Sequence, residues 1–275
     1  MFGKEICLLL LLLMSLLAVS TAEDRIYDGK AVPPNDLPYV VKLWIYNRDH
    51  AKNGMCTGTI ISKHHVLTAA HCWPKGSYAV KINTRDNNQP VLNDGHWTIH
   101  PGYPGKYFDH DIAIITVVEP LTIPPALLGA NYTHKKDDWL RVAGYGNTKY
   151  EIIDGELIQS EVSRTLMDTY VQGVALTDLE MVATELRAFY PNVNRILLHH
   201  KTGVLQGDNG GPVFAQGKDG QWYQVGVISH GGPTKNNDIL AFATDVSYYC
   251  PWIEARTGGE VKCQTFEPAK IVPPF

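Results

Sequence analysis

The chain has 275 residues, a formal net charge of −4 and 44% hydrophobic residues. This length suits one large all-β domain or two smaller ones, and the hydrophobic content is that of an ordinary globular protein. The negative charge balance excludes a general electrostatic attraction to nucleic acid, so no nucleic-acid partner is expected.

The N-terminal segment has the composition of a secretory signal peptide. Lys4 gives a short basic start, residues 6–19 are almost purely apolar, and small residues fill positions 20–22. We predict a signal peptide over residues 1–22, with cleavage after Ala22. A membrane anchor is the alternative, but a run of about 14 apolar residues is too short to span a bilayer. The protein is therefore expected to be secreted and extracellular, with no membrane association after signal removal.

Segments rich in β-branched and aromatic residues predict strands along most of the remaining chain. They are residues 39–46, 57–62, 66–68, 78–82, 95–99 and 112–117. Asn, Asp, Gly and Pro punctuate the chain between them, which indicates turns. Residues 120–125 are expected to form a linker, and residues 140–146 are expected to begin a second strand-rich unit.

Two segments depart from this β pattern. Thr177 and Glu180 form a capping box, and apolar residues recur at helical spacing until Pro191, which predicts an amphipathic helix over residues 177–190. Its apolar stripe is expected to face the core, and a partner-binding helix is the alternative. A second helix is predicted around residues 248–255. A polar, proline-bearing tail follows at residues 257–275, and only Cys263 is expected to tie it down.

Three short motifs carry the candidate chemistry. In chain order they are Leu-Thr-Ala-Ala-His-Cys, which contains His71, the segment Asp-Ile-Ala-Ile-Ile from Asp111, and Gly-Asp-Asn-Gly-Gly-Pro at residues 207–212. The set resembles the trypsin-like serine proteases of the chymotrypsin fold, in which an Asp orients a His that takes a proton from a Ser. In that family a Ser stands where this chain has Asn209. An amide cannot form an alkoxide, so the acyl-enzyme route has no nucleophile.

The resemblance covers about residues 26–254 and implies an all-β fold of two packed six-stranded antiparallel β-barrels, with an intermediate helix and a C-terminal helix. We place the protease-like domain at residues 26–256. The resemblance also implies an activation site, in which residues 23–25 form a short propeptide and cleavage after Arg25 frees Ile26 to pair with Asp208. Asp28 stands where the family usually has Gly, so an uncleaved N-terminal strand is the alternative.

The same resemblance assigns roles to individual residues. It implies that His71 and Asp111 occupy the retained catalytic positions, and that the backbone N–H groups of Gly207 and Asn209 form the oxyanion hole. Trypsin-like members carry an acidic residue at the base of the specificity pocket, where this chain has Gly203, so a preference for Lys or Arg has no support. The residues implied for the pocket wall are Ser229, His230 and Gly231.

Secretion makes the cysteines candidates for disulfide bonds. After signal removal four cysteines remain, and four cysteines allow three connectivities. The resemblance selects the pairing of Cys56 with Cys72, which leaves Cys250 to pair with Cys263. Asn131 begins an Asn-Tyr-Thr sequon and is a predicted glycosylation site. We expect no metal site and no cofactor, because the adjacent histidine pairs match no recognisable ligand spacing.

The leading functional hypothesis is a secreted, catalytically inactive serine protease homologue. Such a protein would bind an extracellular protein or peptide in its cleft, such as a protease or a protease inhibitor, and act as a cofactor, decoy or regulator in an extracellular protease pathway. The first alternative is an active serine-type endopeptidase with atypical chemistry or a preference for small or apolar residues. The second is a structural secreted protein whose tail, residues 257–275, carries the interaction.

Overall fold

Most of the described strands form two large sheets, in which antiparallel pairings predominate. The computed structural model describes residues 26, 29–84, 91–93, 96–105, 109–135, 138–153, 156–159, 162–174, 195–234 and 238–274. The short N-terminal strand β1 (Lys30–Ala31) belongs to the second sheet. The first sheet contains β2 (Val40–Asn47), β3 (Lys52–Ile60), β4 (His65–Thr68), β5 (Ser77–Asn83), β6 (Val91–Asn93), β7 (His96–Ile99) and β8 (Ala113–Thr116).

The first sheet is a half-barrel with the strand order β6-β5-β2-β3-β4-β8-β7, and all its pairings are antiparallel. Alternation of side chains along β2 shows why this segment is a strand. Val41, Leu43 and Ile45 are fully buried in the barrel core, whereas Trp44 and Tyr46 lie half-buried on the opposite face. A shift of one residue would exchange these faces, so the burial of the aliphatic set fixes the register.

The second sheet closes into a barrel. Its strands are β9 (Leu127–Ala130), β10 (Trp139–Gly144), β13 (Met167–Val174), β14 (Arg195–His200), β15 (Pro212–Gln216), β16 (Trp222–Pro233), β17 (Ile239–Asp245) and β18 (Cys263–Thr265), and a separate hairpin comprises β11 (Tyr150–Ile153) and β12 (Glu156–Gln159). Strand β15 pairs with both β10 and β16. The antiparallel ring β15-β10-β13-β14-β17-β16 is therefore complete with six strands, and β1, β9 and β18 are attached to it.

The observed elements confirm the predicted two-barrel, all-β fold. The predicted strands are present with boundaries that differ by a few residues, except that β3 starts well before residue 57. Residues 120–125 lie between the two sheets without regular structure, as expected for a linker. The predicted helix at residues 177–190 lies outside the described residues, as does the predicted signal peptide.

The predicted C-terminal helix is α1 (Val246–Arg256). The carboxylate of Asp245 accepts a hydrogen bond from the backbone N–H of Ser247 at 2.8 Å and caps the helix N-terminus. The buried side chains of Tyr249 and Ile253 pack into the core of the first barrel. Among the described residues, no helix is long and apolar enough to cross a membrane.

The expectation that only Cys263 ties down the C-terminal tail is wrong. The tail continues as β18, which pairs in parallel with β9. The ring of Phe266 then stacks between the rings of Tyr132 and Tyr223, at centroid distances of 6.0 Å and 4.2 Å. Isolated apolar residues in a proline-bearing segment show no periodicity, so no local pattern predicted this packing. Polar contacts hold the tail further along, among them Ala269 N to Gln216 O at 2.8 Å and Lys30 Nζ to Pro274 O at 3.0 Å.

Both predicted disulfides are present. Cys56 and Cys72 are bonded with a Cα–Cα distance of 6.1 Å, and Cys250 and Cys263 with 6.0 Å. The first bond joins β3 to the short 3-10 helix Ala70–Cys72, and the second joins α1 to β18. Each closes a loop of roughly 15 residues, which corresponds to about 3 kcal/mol in the chain-entropy description.

Candidate active site

His71 and Asp111 meet at the junction of the two barrels. Strand β4 leads into the short 3-10 helix that contains His71, and the Cys56–Cys72 disulfide anchors the end of this helix. The ring atom Nδ1 of His71 lies 2.7 Å from Oδ2 of Asp111, and the backbone N–H of His71 donates to Oδ1 at 2.9 Å. One buried carboxylate thus fixes both the ring and the main chain of the histidine.

The second barrel completes the environment of Asp111. The hydroxyl of Ser229 on β16 donates a hydrogen bond to Oδ2 of Asp111 at 2.6 Å. The hydroxyl of Thr244 on β17 donates to the backbone carbonyl of Asp111 at 2.9 Å. Asp111 itself comes from the segment that precedes β8 of the first barrel. The His–Asp pair thus belongs to the first barrel, whereas the second barrel supplies the two hydroxyl groups that hold Asp111 in place. These bonds satisfy the buried carboxylate.

Asn209 lies in a tight turn that is attached to the same region. Its carbonyl oxygen accepts a hydrogen bond from the backbone N–H of Thr57 at 2.9 Å. The Sγ atom of Cys72 lies 3.7 Å from this carbonyl, and it cannot donate a hydrogen bond because it is in a disulfide. The residue next to His71 in sequence therefore contacts the main chain of Asn209. The half-buried Asn209 consequently sits beside the histidine segment.

The shape of this turn requires glycine. Gly207 has φ +99° and Gly210 has φ +81°, which is the left-handed region. A Cβ atom on Gly210 would lie 2.1 Å from Oγ1 of Thr68 and 2.4 Å from the carbonyl oxygen of Thr57. The backbone N–H of Gly210 also donates to the carbonyl of Ile228 at 2.7 Å, which anchors the turn to β16. The glycines thus allow the turn to pack against both barrels.

Comparison with known proteins agrees with this arrangement. A family model described as Trypsin matches residues 26–253. The chain belongs to the trypsin family. It is 28% identical to Granzyme-like protein 1 of Rattus norvegicus, over 90% of this chain and 97% of that protein. It is 24% identical to Trypsin of Sus scrofa, over 84% and 95% of the two chains, and 23% identical to Chymotrypsin of Phaedon cochleariae, over 85% and 82%.

Within this trypsin-family fold, the predicted oxyanion hole lies in the turn that contains Asn209. In the part of the chain that the structure describes, neither the backbone N–H of Gly207 nor that of Asn209 donates a hydrogen bond. The hydroxyl of Thr57 donates to the carbonyl oxygen of Gly207 at 2.9 Å and orients this peptide group. Two backbone donors in one turn that point at the same oxygen would stabilise a negative charge on it. The oxyanion role of these residues stays a prediction, as do the catalytic roles of His71 and Asp111.

Asp208 is fully buried beneath this turn. Its oxygens accept hydrogen bonds from the backbone N–H groups of Gly146 at 2.8 Å and Leu205 at 2.9 Å. Burial raises the pKa of this carboxyl to about 7, because no cation among the described residues compensates its charge. The predicted partner, Ile26, is also fully buried, whereas Arg25 lies outside the described residues. A positively charged group next to Asp208 would lower the pKa of its carboxyl and favour the ionised form.

The predicted specificity pocket is surrounded by aliphatic side chains. A Cβ atom on the buried Gly203 would lie 2.7 Å from Cγ2 of Ile239. A Cβ atom on Gly231 would lie 2.8 Å from Cβ of Ala241 and from Cγ2 of Val204. The sequence analysis missed Ile239 and Ala241. Their apolar pattern was visible, but only the pairing of β16 with β17 places them opposite the predicted wall.

His230 and Ser229 contact structural partners at the pocket wall. Residues His230 and Phe242 are paired across β16 and β17, and their rings are stacked at 4.7 Å with an interplanar angle of 16°. Burial, assisted by the positive charges of Arg195 and His71, lowers the pKa of His230 to about 4. The ring is therefore neutral at neutral pH. Ser229, predicted only as part of the wall, directs its hydroxyl to Asp111.

Arg195 is a further residue that sequence reasoning missed. Its Nη2 atom lies 2.5 Å from Oδ1 of Asp109. This ion pair links the start of β14 to the segment that carries Asp111. Nothing in the local sequence pattern pairs two residues so far apart in the chain. The ion pair therefore ties the two barrels together beside the hydrogen bond from Ser229 to Asp111.

Cysteine chemistry limits metal binding near the site. Among the residues that the structure describes, the side chains of Cys56, His71 and Cys72 form a group close enough to share a metal ion. The two sulfur atoms are bonded to each other, so they are not available as thiolate ligands. A single remaining imidazole does not form a metal site.

Proposed function

We propose that this chain is a secreted trypsin-family protein that has lost catalysis and acts by binding, as a cofactor, decoy or regulator in an extracellular protease pathway. The observation that supports the proposal is Asn209 in the turn next to His71. In a serine protease that position supplies the attacking oxygen. The amide of asparagine is neither basic nor nucleophilic at neutral pH.

The size of the catalytic loss follows from studies of triad removal. Loss of the serine lowers turnover by roughly a million-fold, and leaves a factor of roughly 10³–10⁴ over water from binding and the oxyanion hole. A rate of that kind does not support a role in proteolysis. The remaining framework would still hold an extended peptide, because binding depends on the shape of the cleft and on main-chain groups.

The neighbourhood of the pocket favours a particular kind of partner. The aliphatic side chains of Ile239 and Ala241 lie against the two predicted pocket glycines, Gly203 and Gly231. No acidic residue stands at the predicted base, so a basic side chain gains no charge partner there. The partner is therefore expected to present a small or apolar residue to this pocket, on an extracellular protease, inhibitor or peptide.

The proposal also includes secretion of the chain and glycosylation of Asn131. The two disulfides are typical of proteins that fold in an oxidising compartment. Asn131 is exposed immediately after β9, and Thr133 of its sequon is exposed as well. Expression in a secretory cell line should yield a secreted chain that begins after Ala22. Its mass should fall on glycosidase treatment, and Asn131→Gln should abolish that shift.

The test of inactivity uses the mature chain, with and without cleavage after Arg25. Wild type, Asn209→Ser and Asn209→Ser with His71→Ala are each treated with a fluorophosphonate probe and a broad peptide library. Wild type should be inert, Asn209→Ser should label and cleave, and the double variant should lose both activities. This pattern would assign the inactivity to Asn209 alone.

Two outcomes would contradict the proposal or narrow it. Wild-type cleavage that persists through repurification and disappears in His71→Ala would establish an active endopeptidase of atypical chemistry. Inertness of both wild type and Asn209→Ser would mean that the activation machinery or the pocket is lost too, and would overturn binding through the cleft. The packed tail disfavours the alternative in which residues 257–275 act as a free binding segment.

A further inference from the structure

A cavity of about 340 Å³ opens between the outer face of β2 and the segment that precedes β13. Such a volume is in the range of small-molecule sites. The cavity is lined by Lys42 and Trp44 from β2, Asn83 from β5, Tyr145 after β10, and Arg164. None of these five residues belongs to the candidate active site.

Strand geometry explains how these side chains converge. Lys42 and Trp44 are two residues apart on β2, so both point away from the barrel core that Leu43 enters. Asn83 is paired directly with Lys42 across β2 and β5. The second barrel contributes the remaining walls, Tyr145 and Arg164. The cavity therefore exists only at the junction of the two barrels.

The charged groups at this cavity are all positive. Lys42 is only 8% exposed, and its Nζ atom donates a hydrogen bond to the carbonyl of Ser163. This ammonium lies 5.4 Å from the ring centroid of Trp44 and 5.2 Å from that of Tyr145. The ammonium of Lys52 lies 3.9 Å from the same Trp44 centroid.

The carboxylates that the structure describes do not compensate these charges. Among the described residues, none of the acidic side chains forms an ion pair with Lys42, Lys52 or Arg164. Burial is the main cause that lowers the pKa of Lys42 to about 8, and the charges of Lys52 and Arg164 lower it further. A partly buried ammonium without an anion is unfavourable, so the site has charge to neutralise.

We propose that this cavity binds a ligand that carries a carboxylate, sulfate or phosphate group next to a planar apolar portion. The anionic group contacts the ammonium of Lys42 and the guanidinium of Arg164, because charge-assisted hydrogen bonds to oxyanions are strong. The planar portion lies along the rings of Trp44 and Tyr145, which also hold the two lysine ammonium groups by cation–π contacts.

The test is calorimetric titration of the secreted, mature wild-type protein with four probes that share one ring. Phenyl phosphate, phenyl sulfate and benzoate distinguish the three anionic groups, and benzyl alcohol is the neutral control. At least one anion should bind with a dissociation constant below about 1 mM, and affinity should fall with added salt. Benzyl alcohol should bind at least about tenfold more weakly than that anion.

Three variants locate the binding site. Arg164→Gln, at an exposed position that tolerates change, and Lys42→Met should each weaken the binding of the preferred anion by about tenfold or more. Lys63→Gln changes an exposed lysine outside the cavity and should leave the affinity unchanged. If Lys42→Met does not fold, the affinity of Arg164→Gln for the preferred anion is sufficient to test the proposal.

Protonation provides an independent readout. Binding requires the charged form of Lys42, so the affinity of wild type should fall as pH rises above about 8. Lys52 from β3 and Arg164 are the other charged groups that face Lys42. The proposal is wrong if no anion binds at about 5 mM, if benzyl alcohol binds as well as the anions, or if Arg164→Gln binds like wild type.

Discussion

The carboxylate of Asp208 accepts a hydrogen bond from the backbone N–H of Gly146 at 2.8 Å, and a Cβ atom on Gly146 would lie 2.6 Å from Cγ of Asp208. The glycine leaves room for a carboxylate that no solvent reaches. The arrangement places an acid directly before the position of the missing nucleophile, so its charge state affects the turn that Asn209 occupies.

The pH dependence of the free energy of unfolding should reveal the buried carboxyl of Asp208. The protein for this measurement is the mature chain without cleavage after Arg25. Burial raises the pKa of Asp208 to about 7, whereas an unfolded Asp has an ordinary, lower pKa. The folded state therefore holds more protons between these two values, and the free energy of unfolding falls as pH rises through them. Asp208→Asn should remove this component, on the order of a few kcal/mol, when urea unfolding is compared at about pH 5 and about pH 8.

Other titrating groups also contribute to the pH dependence of stability. The role of Asp208 is therefore tested by comparing wild type with Asp208→Asn. Burial raises the pKa of Asp245 to about 6. This group therefore also lowers the free energy of unfolding as pH rises, and it does so in both wild type and Asp208→Asn. The difference between the two profiles isolates Asp208. Parallel profiles from about pH 5 to about pH 8 would show that the carboxyl of Asp208 titrates normally.

Cleavage after Arg25 should change the charge balance at Asp208. A new ammonium on the buried Ile26 would favour the ionised carboxylate. The loss of stability with rising pH should therefore become smaller in cleaved wild type. Asp208→Asn should show the same pH profile before and after cleavage. An unchanged wild-type profile after cleavage, verified by mass, would mean that the new terminus does not reach Asp208.

Local patterns predicted the individual strands, whereas the two-barrel fold and the pairing of His71 with Asp111 followed from the family resemblance of short contiguous motifs. Alternating apolar residues mark β2, and the motif around His71 is contiguous. The contacts of Ser229 with Asp111 and of His230 with Phe242 depend instead on the docking and register of distant strands. No local pattern encodes such pairings, so the sequence named residues of the site without naming their partners.

The contacts of the C-terminal tail are a further example of packing that no local sequence pattern predicts. They also allow a prediction about stability. The half-buried ring of Phe266 packs between two tyrosine rings, although the segment around it is polar and rich in proline. Phe266→Ala should lower the free energy of unfolding by about 2 kcal/mol, less than for a fully buried phenylalanine. Val272→Ala changes a residue that is 83% exposed in the same tail and is the matched control. Equal stability of the two variants in guanidinium unfolding would show that the tail does not contribute through Phe266.

Two glycines with the same φ angle test the packing of the turn at Asn209. Gly210 and Gly220 both have φ +81°, but no atom lies within 4 Å of a Cβ built on Gly220. Gly220→Ala should therefore lower the free energy of unfolding by only about 1 kcal/mol, from backbone strain. Gly210→Ala adds a clash with Thr68 and with the carbonyl of Thr57, and should lower it by at least about 3 kcal/mol.

The contribution of Ser229 can be measured once a nucleophile is present. In the Asn209→Ser background, Ser229→Ala removes the hydroxyl that donates to the buried carboxylate of Asp111. A lost hydrogen bond to a charged group is worth about 1.5–3 kcal/mol, so kcat should fall by roughly ten- to a hundredfold. Ser229 does not touch the reacting atoms, so KM should change little and Ser229→Thr should restore part of the rate. A change confined to KM would place Ser229 in the pocket wall and not in the support of the His–Asp pair.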